Sequence, residues 1–339
     1  MAIAGSVFEV SVDRSISDEG LSRAEMWAVQ RMVTEALGDR IPVSVERMGD
    51  GISTAVYRLR RAEDVFYLRV LPETGDSFGP EAYVHALLRQ RGVRVPEVIY
   101  LEDCNEILQR SVMITTEIPG GPLADLPPGE ATANILVEAG RELAIINSLP
   151  VEGFGWIKRD TGDVERLEAE QPTNRAFLLE DLDLYLSVLG STVLTAREVS
   201  CIHDVIERHH AWLDGDQAWL AHGDFDLTHI YQENGRYTGI IDFGEIRGTG
   251  RFYDLGHFRL HDGEQASYEA LPSLLAGYQQ VEPLPPDHDG QIAFLSLLIG
   301  IRFLGRGLRK LSNHELSPHI QSHAQKSIEK DLQLLQRGI

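Results

Sequence analysis

The chain has 339 residues, 43% of them hydrophobic, and a formal net charge of −21. This length exceeds the usual size of one compact domain and predicts two lobes with a large core. The excess of 52 acidic over 31 basic residues disfavours a nucleic-acid partner, because a phosphate polyanion would be repelled, and favours a cationic small molecule. A solvated acidic surface explains the same charge without any ligand.

The cysteines, the N-terminal residues and the most apolar run together predict a cytoplasmic protein. Cys104 and Cys201 lie far apart and lack metal-ligand spacing, so reduced thiols are expected. The first residues lack a basic region followed by an apolar one, so no secretion signal is expected. The most apolar run, residues 292–304, is shorter than a bilayer span and contains Arg302. It therefore predicts a core helix, with no membrane partner.

The first third of the chain predicts one sheet with flanking helices. An apolar stripe of helical spacing precedes Gly38, and the pattern then changes to strands. Five runs rich in β-branched or aromatic residues follow, at 43–47, 56–60, 65–70, 95–99 and 112–116. They predict a five-stranded sheet. The segment from Gly79 to about Gly92, with Pro80 in its first turn, predicts the accompanying helix.

The connection between the first two predicted strands contains Gly49, Gly51, Ser53 and Thr54. Glycines at such a place let backbone N–H groups approach a phosphate closely. A glycine pair between two strands is more often only a turn. From the residues alone both interpretations stay open.

The rest of the chain is predominantly helical by its apolar spacing. A helix is predicted up to Asn147, followed by a loop over residues 151–157, and further helices over 292–308 and 320–335. Residues 160–183 are rich in acidic side chains. They form either an acidic wall for an aminated substrate or the solvated face of a helix.

A hairpin is the strongest local signal in the sequence. Residues 228–232 and 237–241 are β-prone runs, and Asn234-Gly235 between them tolerates the positive φ angles of a tight turn. A hairpin brings its two outer ends together. These ends carry the sequences His-Gly-Asp, finishing at Asp224, and Asp-Phe-Gly, beginning at Asp242.

This pair of Asp-centred motifs points to phosphoryl transfer. The reaction needs a carboxylate that orients and deprotonates the attacking hydroxyl, and ligands that hold Mg²⁺ against the phosphates. Asp224 fits the first task and Asp242 the second, while His229 stands where the kinase pattern has Asn. Alternatively, both Asp residues only cap turns. That interpretation leaves their joint spacing unexplained.

The motifs H-G-D-x-x-x-x-H, D-F-G and G-R-F-Y-D-L, the last at residues 250–255, resemble those of the aminoglycoside phosphotransferase and choline kinase family. The resemblance extends more weakly from about Val43 to the C-terminus. It implies an α+β, bilobal, protein-kinase-like fold. Residues 1–116 would form a nucleotide-binding lobe with a five-stranded antiparallel sheet and helices. Residues 117–339 would form a mainly helical lobe that carries the catalytic hairpin and binds the acceptor.

The resemblance also implies a nucleotide site. The third strand of kinase-like enzymes carries a Lys that contacts the phosphates and pairs with a helix Glu. Here Arg69 stands at that position, with Glu81 as its expected partner, and the alternative is a surface ion pair of little energetic value. The phosphates would lie on Gly49, Gly51, Ser53 and Thr54. The adenine edge would contact a hinge formed by Thr115, Thr116, Glu117 and Ile118.

The expected activity is transfer of a phosphoryl group from ATP or GTP, with Mg²⁺, to a hydroxyl of a small molecule. The resemblance favours an aminoglycoside-like acceptor, and a macrolide, an amino acid or choline are alternatives. Asp224 would act as base, and Asp242 and His229 would hold the metal. His222 and Asp254 would brace the loops. Because Arg69 and His229 depart from the family pattern, a nucleotide-binding pseudokinase is a second hypothesis. The chain is expected to be a monomer or a homodimer.

Overall fold

The computed structural model describes residues 23–38, 43–48, 54–160, 164–266, 268–309 and 316–337. Its contacts divide the chain into two compact units. The first contains the described residues up to Leu87, then Pro96–Glu117 and the described part of Arg159–Val164. The second contains Leu88–Val95, Ile118–Lys158 and the described residues from Glu165 onward. The division into residues 1–116 and 117–339 stays a prediction. In the structure, Leu88–Val95 belongs to the second unit, whereas Glu117 and the described part of Arg159–Val164 belong to the first.

The first unit is built on the predicted five-stranded antiparallel sheet, which is confirmed. Its spatial order is β1-β2-β3-β5-β4, with two helices in the same part of the chain. The elements are α1 (Arg23–Leu37), β1 (Ser44–Arg47), β2 (Ala55–Arg61), β3 (Asp64–Val70), α2 (Gly79–Gln90), β4 (Val98–Glu102) and β5 (Val112–Thr116).

The fourth strand begins later than the sequence indicated. The predicted run was residues 95–99, whereas β4 starts at Val98 and continues to Glu102. Pro96 lies at the start of the predicted run and has no backbone N–H to donate to a strand ladder. The pairing of β4 with β5 is also irregular between Val98 and Tyr100. The ladder therefore forms only beyond the proline.

The core of the first unit lies between α1 and the sheet. Ala28, Val29, Met32 and Val33 recur at helical spacing and are buried in one cluster with strand residues, including Leu59 and Leu68. Burial of such side chains contributes about 1.5–3 kcal/mol each relative to exposure. This cluster fixes β2 and β3, the second of which carries Arg69.

The second unit is mainly helical. Its central helix is α9, which packs against α5, α7 and α10. The helices among the described residues of this unit are α3 (Glu130–Ile146), α4 (Asn174–Leu178), α5 (Leu182–Gly190), α6 (Ala196–Arg208), α7 (Tyr253–His261), α8 (Leu271–Tyr278), α9 (His288–Leu308) and α10 (Pro318–Arg337). By length and composition α9 resembles a membrane span, but 67% of its most apolar stretch is buried inside the protein, as in a core helix.

Short strands connect these helices in two small sheets. The orders are β7-β10-β13-β8-β9 and β12-β11-β6. The strands are β6 (Gly121–Pro122), β7 (Pro150–Val151), β8 (Phe154–Ile157), β9 (Ala169–Gln171), β10 (Ala218–Ala221), β11 (Ile230–Glu233), β12 (Arg236–Ile240) and β13 (Arg247–Thr249). The prediction of a loop over residues 151–157 was wrong, because β7 and β8 pair with β10 and β13, which are distant in sequence.

The predicted hairpin is present as β11 and β12, which pair antiparallel. Asn234 and Gly235 have φ angles of 52° and 73°, the left-handed values that a two-residue turn of this kind requires. The turn thus returns the chain from the His-Gly-Asp sequence to the Asp-Phe-Gly sequence.

Candidate active site

Asp254, in the first turn of α7, anchors the loop that follows β10. Its side chain is fully shielded from solvent. The backbone N–H groups of His222 and Gly223 donate to its two carboxylate oxygens, each at 2.8 Å. The Asn147 side-chain amide donates to Oδ2, also at 2.8 Å. Carboxylates that accept several such bonds hold a backbone in one conformation. The predicted bracing role of Asp254 therefore agrees with its contacts.

His222 links this loop to the other end of the hairpin. Its Nε2 lies 2.8 Å from the carbonyl oxygen of Ile241, so this nitrogen carries the proton. Burial, together with the neighbouring His229, lowers the pKa of the His222 imidazole. The neutral ring packs against Phe225 and Phe243. His222 therefore braces the loop, as predicted.

Gly223 permits a close approach of two backbones. Its φ is +89°, and a Cβ atom at this position would lie 1.8 Å from the carbonyl oxygen of Glu245. Neither the conformation nor the space suits any other residue. This contact brings the catalytic loop against the segment that follows Asp242.

Asp224 presents its carboxylate to solvent, with 45% of its side chain exposed. Its backbone N–H points to His222 Nδ1 at 3.4 Å, and its Oδ1 lies 3.3 Å from Nε2 of His257. An accessible carboxylate on a braced loop is the arrangement expected of a general base.

The two predicted metal ligands lie close to each other. Nε2 of His229 is 3.9 Å from Oδ2 of Asp242, whose side chain is 53% exposed. His229 Nδ1 is 3.4 Å from Oδ1 of Asp226. Nδ1 makes no hydrogen bond within the described residues. With a proton on Nδ1 beside Asp226, the lone pair of Nε2 would be available to a metal.

Asp226 is itself fixed by hydrogen bonds. The backbone N–H of Thr228 donates to Oδ1 at 2.7 Å, and the Gln265 amide donates to Oδ2 at 2.9 Å. Burial opposes ionisation, but His229 and these donors outweigh it and lower the pKa of Asp226. The carboxylate therefore stays ionised beside the imidazole.

The residues present fit a Mg²⁺ ion bound jointly by protein and nucleotide. Within the described ranges no group of three or more His, Cys, Asp or Glu side chains is arranged to hold a metal. A pair of protein ligands suffices where substrate phosphates and water complete the coordination of Mg²⁺. His229 and Asp242 would be that pair.

Glu245 adds a further carboxylate next to the base, one that the sequence reasoning missed. Burial, with the charges of Asp224 and Asp242, raises its pKa despite the opposing effect of Arg247. Arg247 donates to Glu245 at 2.7 Å and is stacked on Trp156 with 4.1 Å between the guanidinium carbon and the ring centre. Glu245 is therefore a carboxylate close to Asp224 that forms an ion pair with Arg247.

In the first unit, Arg69 of β3 and Glu81 of α2 are hydrogen-bonded, as predicted. Glu81 is fully buried, and a second guanidinium, that of Arg159, lies 3.7 Å from its other oxygen. Arg69 also lies over the ring of Phe78, 5.2 Å from its centre. The pair is thus shielded and is not a surface ion pair. Its phosphate-binding role stays a prediction.

The glycine-rich loop lies mostly outside the described residues. This applies to Gly49, Gly51 and Ser53, whereas Thr54 forms a bend just before β2. The backbone N–H of Met48 bonds the carbonyl oxygen of Val56 at 2.9 Å. The loop therefore leaves from and returns to paired strands.

The predicted hinge residues continue from β5. The backbone N–H of Thr116 donates to Glu97 at 2.9 Å, and that of Glu117 donates to Val65 at 3.3 Å. Both amides therefore already have backbone acceptors. An adenine contact from the predicted hinge would have to use the other backbone groups of Thr115, Thr116, Glu117 and Ile118. Thr115 is buried, and Ile118 belongs to the second unit.

Besides Glu245, residues that touch the predicted site side chains and were not predicted as part of the site include Arg159, Asp226 and His257. For His257 a signal existed: it lies three residues after Asp254 on one helix, so both side chains lie on the same face. His257 is buried. Arg159 and Asp226 had no local signal.

The profile of the phosphotransferase enzyme family matches residues 44–290. The chain belongs to this family. It is accordingly a phosphotransferase with an alcohol group as acceptor, that is, a small-molecule kinase. No curated protein matches the sequence.

Solved structures of phosphotransferases share the kinase-like fold. A thermostable mutant of aminoglycoside phosphotransferase APH(4)-Ia matches with a TM-score of 0.64 and 18% identity, covering 91% of this chain and 100% of that one. A fructosamine-3-kinase, described as putative, from Thermobifida fusca YX-ER1 matches with 0.61 and 18%, covering 91% and 99%. A protein from Ralstonia eutropha JMP134, described as a putative aminoglycoside phosphotransferase, matches with 0.61 and 14%, covering 92% and 98%.

Proposed function

We propose that this kinase transfers the γ-phosphoryl group of ATP or GTP to a hydroxyl of an aminated, polyhydroxylated small molecule such as an aminoglycoside. The observation that carries the proposal is the braced catalytic loop, in which buried Asp254 holds the backbone of His222 and Gly223 and leaves the Asp224 carboxylate accessible. A fixed backbone with an exposed carboxylate suits a base that must meet a diffusing substrate.

Asp224 has the role of general base. It orients the acceptor hydroxyl and takes its proton as the oxygen attacks phosphorus. Because the transition state of phosphoryl transfer is loose and highly charged, positioning and electrostatics supply most of the catalysis. The braced loop provides the positioning.

The nucleotide phosphates have two sets of partners in this proposal. Arg69, aligned by Glu81, supplies a fixed cation, and the loop of residues 48–54 supplies backbone N–H groups. His229 and Asp242 would hold Mg²⁺, which when bound neutralises charge on the phosphates. Of the similar structures, one of the APH(4)-Ia mutant is a ternary complex with AMP-PNP and hygromycin B, which supports a nucleotide donor here.

The charge of the chain favours a cationic acceptor. Asp224, Asp226 and Asp242 lie in one part of the second unit, and the net charge of the chain is −21. The acid-rich segment 160–183 supports this less, because Glu168 pairs with Arg166 and Lys158, and Glu180 with Arg302. Both cysteines are free, which is consistent with a cytoplasmic location.

A screen of purified protein tests the proposal. Release of ADP or GDP is measured with Mg²⁺ or Mn²⁺ against aminoglycosides, fructosamines, macrolides, amino acids and choline. We expect turnover with an aminated sugar and none with Asp224→Asn. Turnover only with a macrolide, an amino acid or choline contradicts the acceptor class. Nucleotide binding without transfer to any acceptor and without slow hydrolysis contradicts the catalytic proposal and favours the pseudokinase hypothesis.

A further inference from the structure

Arg159 contacts the start of α2 through both its backbone and its side chain. It comes two residues after the end of β8 and belongs to the first unit. Its carbonyl oxygen accepts from the backbone N–H of Ser77 at 2.7 Å, and its Nη2 lies 3.7 Å from Oε2 of Glu81. The two contacts place the Arg159 guanidinium beside a carboxylate that is fully buried.

The segment to which Arg159 is anchored is itself held by hydrogen bonds. The Ser77 hydroxyl donates to Oδ1 of Asp103 at 2.6 Å and accepts from the backbone N–H of Gly79 at 2.8 Å. Ser77 is also buried. The backbone of Arg159 is therefore attached to a fixed point directly before the helix that carries Glu81.

Glu81 is shared by two guanidiniums. Arg69 donates to Oε1, and Arg159 lies next to Oε2, so the two cationic groups are neighbours on one carboxylate. Within this trio two positive charges face one negative charge. A guanidinium has five N–H donors, so it can bond Glu81 and an anion at the same time. The side chains of Arg69 and Arg159 are 14% and 17% exposed, so an anion from solvent can meet them.

The trio lies beside the connection between β1 and β2, residues 48–54. Arg69 of β3 is paired with Val56 of β2. The carbonyl oxygen of Val56 accepts from the backbone N–H of Met48 at 2.9 Å, and Thr54 comes two residues before Val56. Both ends of the connection therefore lie next to the strand position opposite Arg69.

We propose that Arg159 is a second phosphate-binding residue, which with Arg69 holds the phosphate chain of the nucleotide on two guanidiniums oriented by Glu81. This inference rests on the proposed function, in which Arg69 and residues 48–54 bind the phosphates. Glu81 has one carboxylate oxygen for each arginine, so it fixes both cations relative to each other and to that connection.

The pair explains how Arg69 can serve where kinase-like enzymes have Lys. A Lys ammonium is a compact point charge, whereas a guanidinium presents its donors in a planar fork that bonds carboxylate and phosphate oxygens in pairs. Two such forks can meet two adjacent phosphate groups. The departure at position 69 and the approach of Arg159 to Glu81 are then parts of one arrangement.

The decisive variant is Arg159→Gln, which removes the guanidinium but keeps the backbone bond to Ser77. Arg159→Lys is the second variant, because it keeps the charge and loses the planar fork. The matched control is Arg61→Gln. Arg61 is 19% exposed and paired with Asp64, but it lies opposite the first residue of β3, about 17 Å along the strand from Arg69.

Calorimetry on the full chain with Mg²⁺ tests the proposal without any acceptor. The probes are ATP, ADP and adenosine, with GTP, GDP and guanosine as the second series. We expect Arg159→Gln to raise the Kd of the di- and triphosphate about tenfold, as for loss of a bond to a charged group, and to leave that of the nucleoside unchanged. Arg159→Lys should lie between native protein and Arg159→Gln, and Arg61→Gln should match native protein.

The dependence on phosphate separates binding by Arg159 from a purely structural ion pair. Unchanged Kd values for ATP and ADP, or GTP and GDP, in Arg159→Gln would overturn the inference. Equal weakening of the nucleoside and its phosphates would also overturn it, because a structural change does not discriminate between them. Absence of nucleotide binding in the native protein would contradict the proposed function, and this inference with it. Nucleotide binding that depends on Arg159, without transfer to any acceptor, would contradict the proposed activity alone.

Discussion

Two carboxylates of this kinase, Glu81 and Asp254, are both fully shielded from solvent, yet they are stabilised in different ways. Glu81, in the first unit, lies between two guanidiniums, those of Arg69 and Arg159. Asp254, in the second unit, accepts from neutral donors, which within the described residues are two backbone N–H groups and the amide of Asn147.

The difference indicates what each carboxylate orients. Glu81 is bonded by cations and therefore fixes the position of a positive side chain that can meet a phosphate. Asp254 is bonded by backbone groups and therefore fixes the path of the chain that carries Asp224. Loss of Glu81 should mainly affect nucleotide binding, whereas loss of Asp254 should affect folding of the loop and all of catalysis.

The largest expected effect follows from removal of Asp254. Asp254→Ala leaves three buried donors without an acceptor, at about 1–3 kcal/mol each where relaxation does not relieve them. We expect the free energy of unfolding, measured in urea, to fall by about 3–5 kcal/mol and kcat to become undetectable. Asp254→Asn, which keeps an acceptor oxygen, should lose less. If the unfolding free energy of Asp254→Ala fell by less than about 1 kcal/mol, water would be replacing the carboxylate.

A somewhat smaller effect is expected at the backbone that Asp254 holds. Gly223→Ala adds a Cβ that meets the Glu245 carbonyl oxygen at 1.8 Å in a backbone with φ of +89°. We expect it to destabilise the protein by about 2–4 kcal/mol and to lower kcat. Gly263 has a similar φ of +84° but no atom within 4 Å, so Gly263→Ala measures the cost of φ alone, about 1 kcal/mol. Equal losses in the two variants would argue against the close contact.

Glu81→Gln tests the other half of the comparison. It removes the negative charge that Arg69 and Arg159 share, although both retain some contact with solvent. We expect nucleotide Kd, from calorimetry, to rise about tenfold, with a loss of about 1–2 kcal/mol in unfolding free energy. The control is Glu35→Gln, which removes an exposed partner of Arg31 on α1. Unchanged nucleotide affinity in Glu81→Gln would show that Glu81 only stabilises the fold.

The smallest expected effect is a loss of stability at acidic pH. It arises from His257, which is buried and neutral one helical turn after Asp254. Its pKa of about 3 lies below the ordinary value of about 6.5, so between these values the unfolded chain binds more protons. Stability should therefore fall with falling pH, by about 1 kcal/mol from pH 6.5 to 5.5 for this residue. His257→Asn should show a shallower slope in urea unfolding without metal. An identical slope would contradict a neutral buried imidazole.

Sequence signals predicted those features whose physical cause is local. Asn234-Gly235 specifies its turn by φ angles, and Val112–Thr116 forms a strand because its run of β-prone residues is uninterrupted. Asp224 and Asp242 could be selected because the hairpin between them is such a local signal. The pairing of Arg69 with Glu81 required the family resemblance in addition.

What the sequence did not reveal depends on distant partners. Two residues in β7 and four in β8 are too few to show a period, and they become strands through pairing with β10, β13 and β9. Arg159 reaches Glu81 across 78 positions of the chain, and no pattern within a short window indicates such a contact. The role of Asp226 depended on the tautomer of His229, which only the surrounding atoms determine.

The most direct test of the central claim is a comparison of native protein with Asp224→Asn, using the acceptor found in the screen. We expect kcat to fall by about 100-fold or more, as for loss of a positioned general base, while calorimetric nucleotide affinity stays within a few-fold. Undiminished turnover in Asp224→Asn would contradict the assignment of the base, and with it the proposed use of the braced loop.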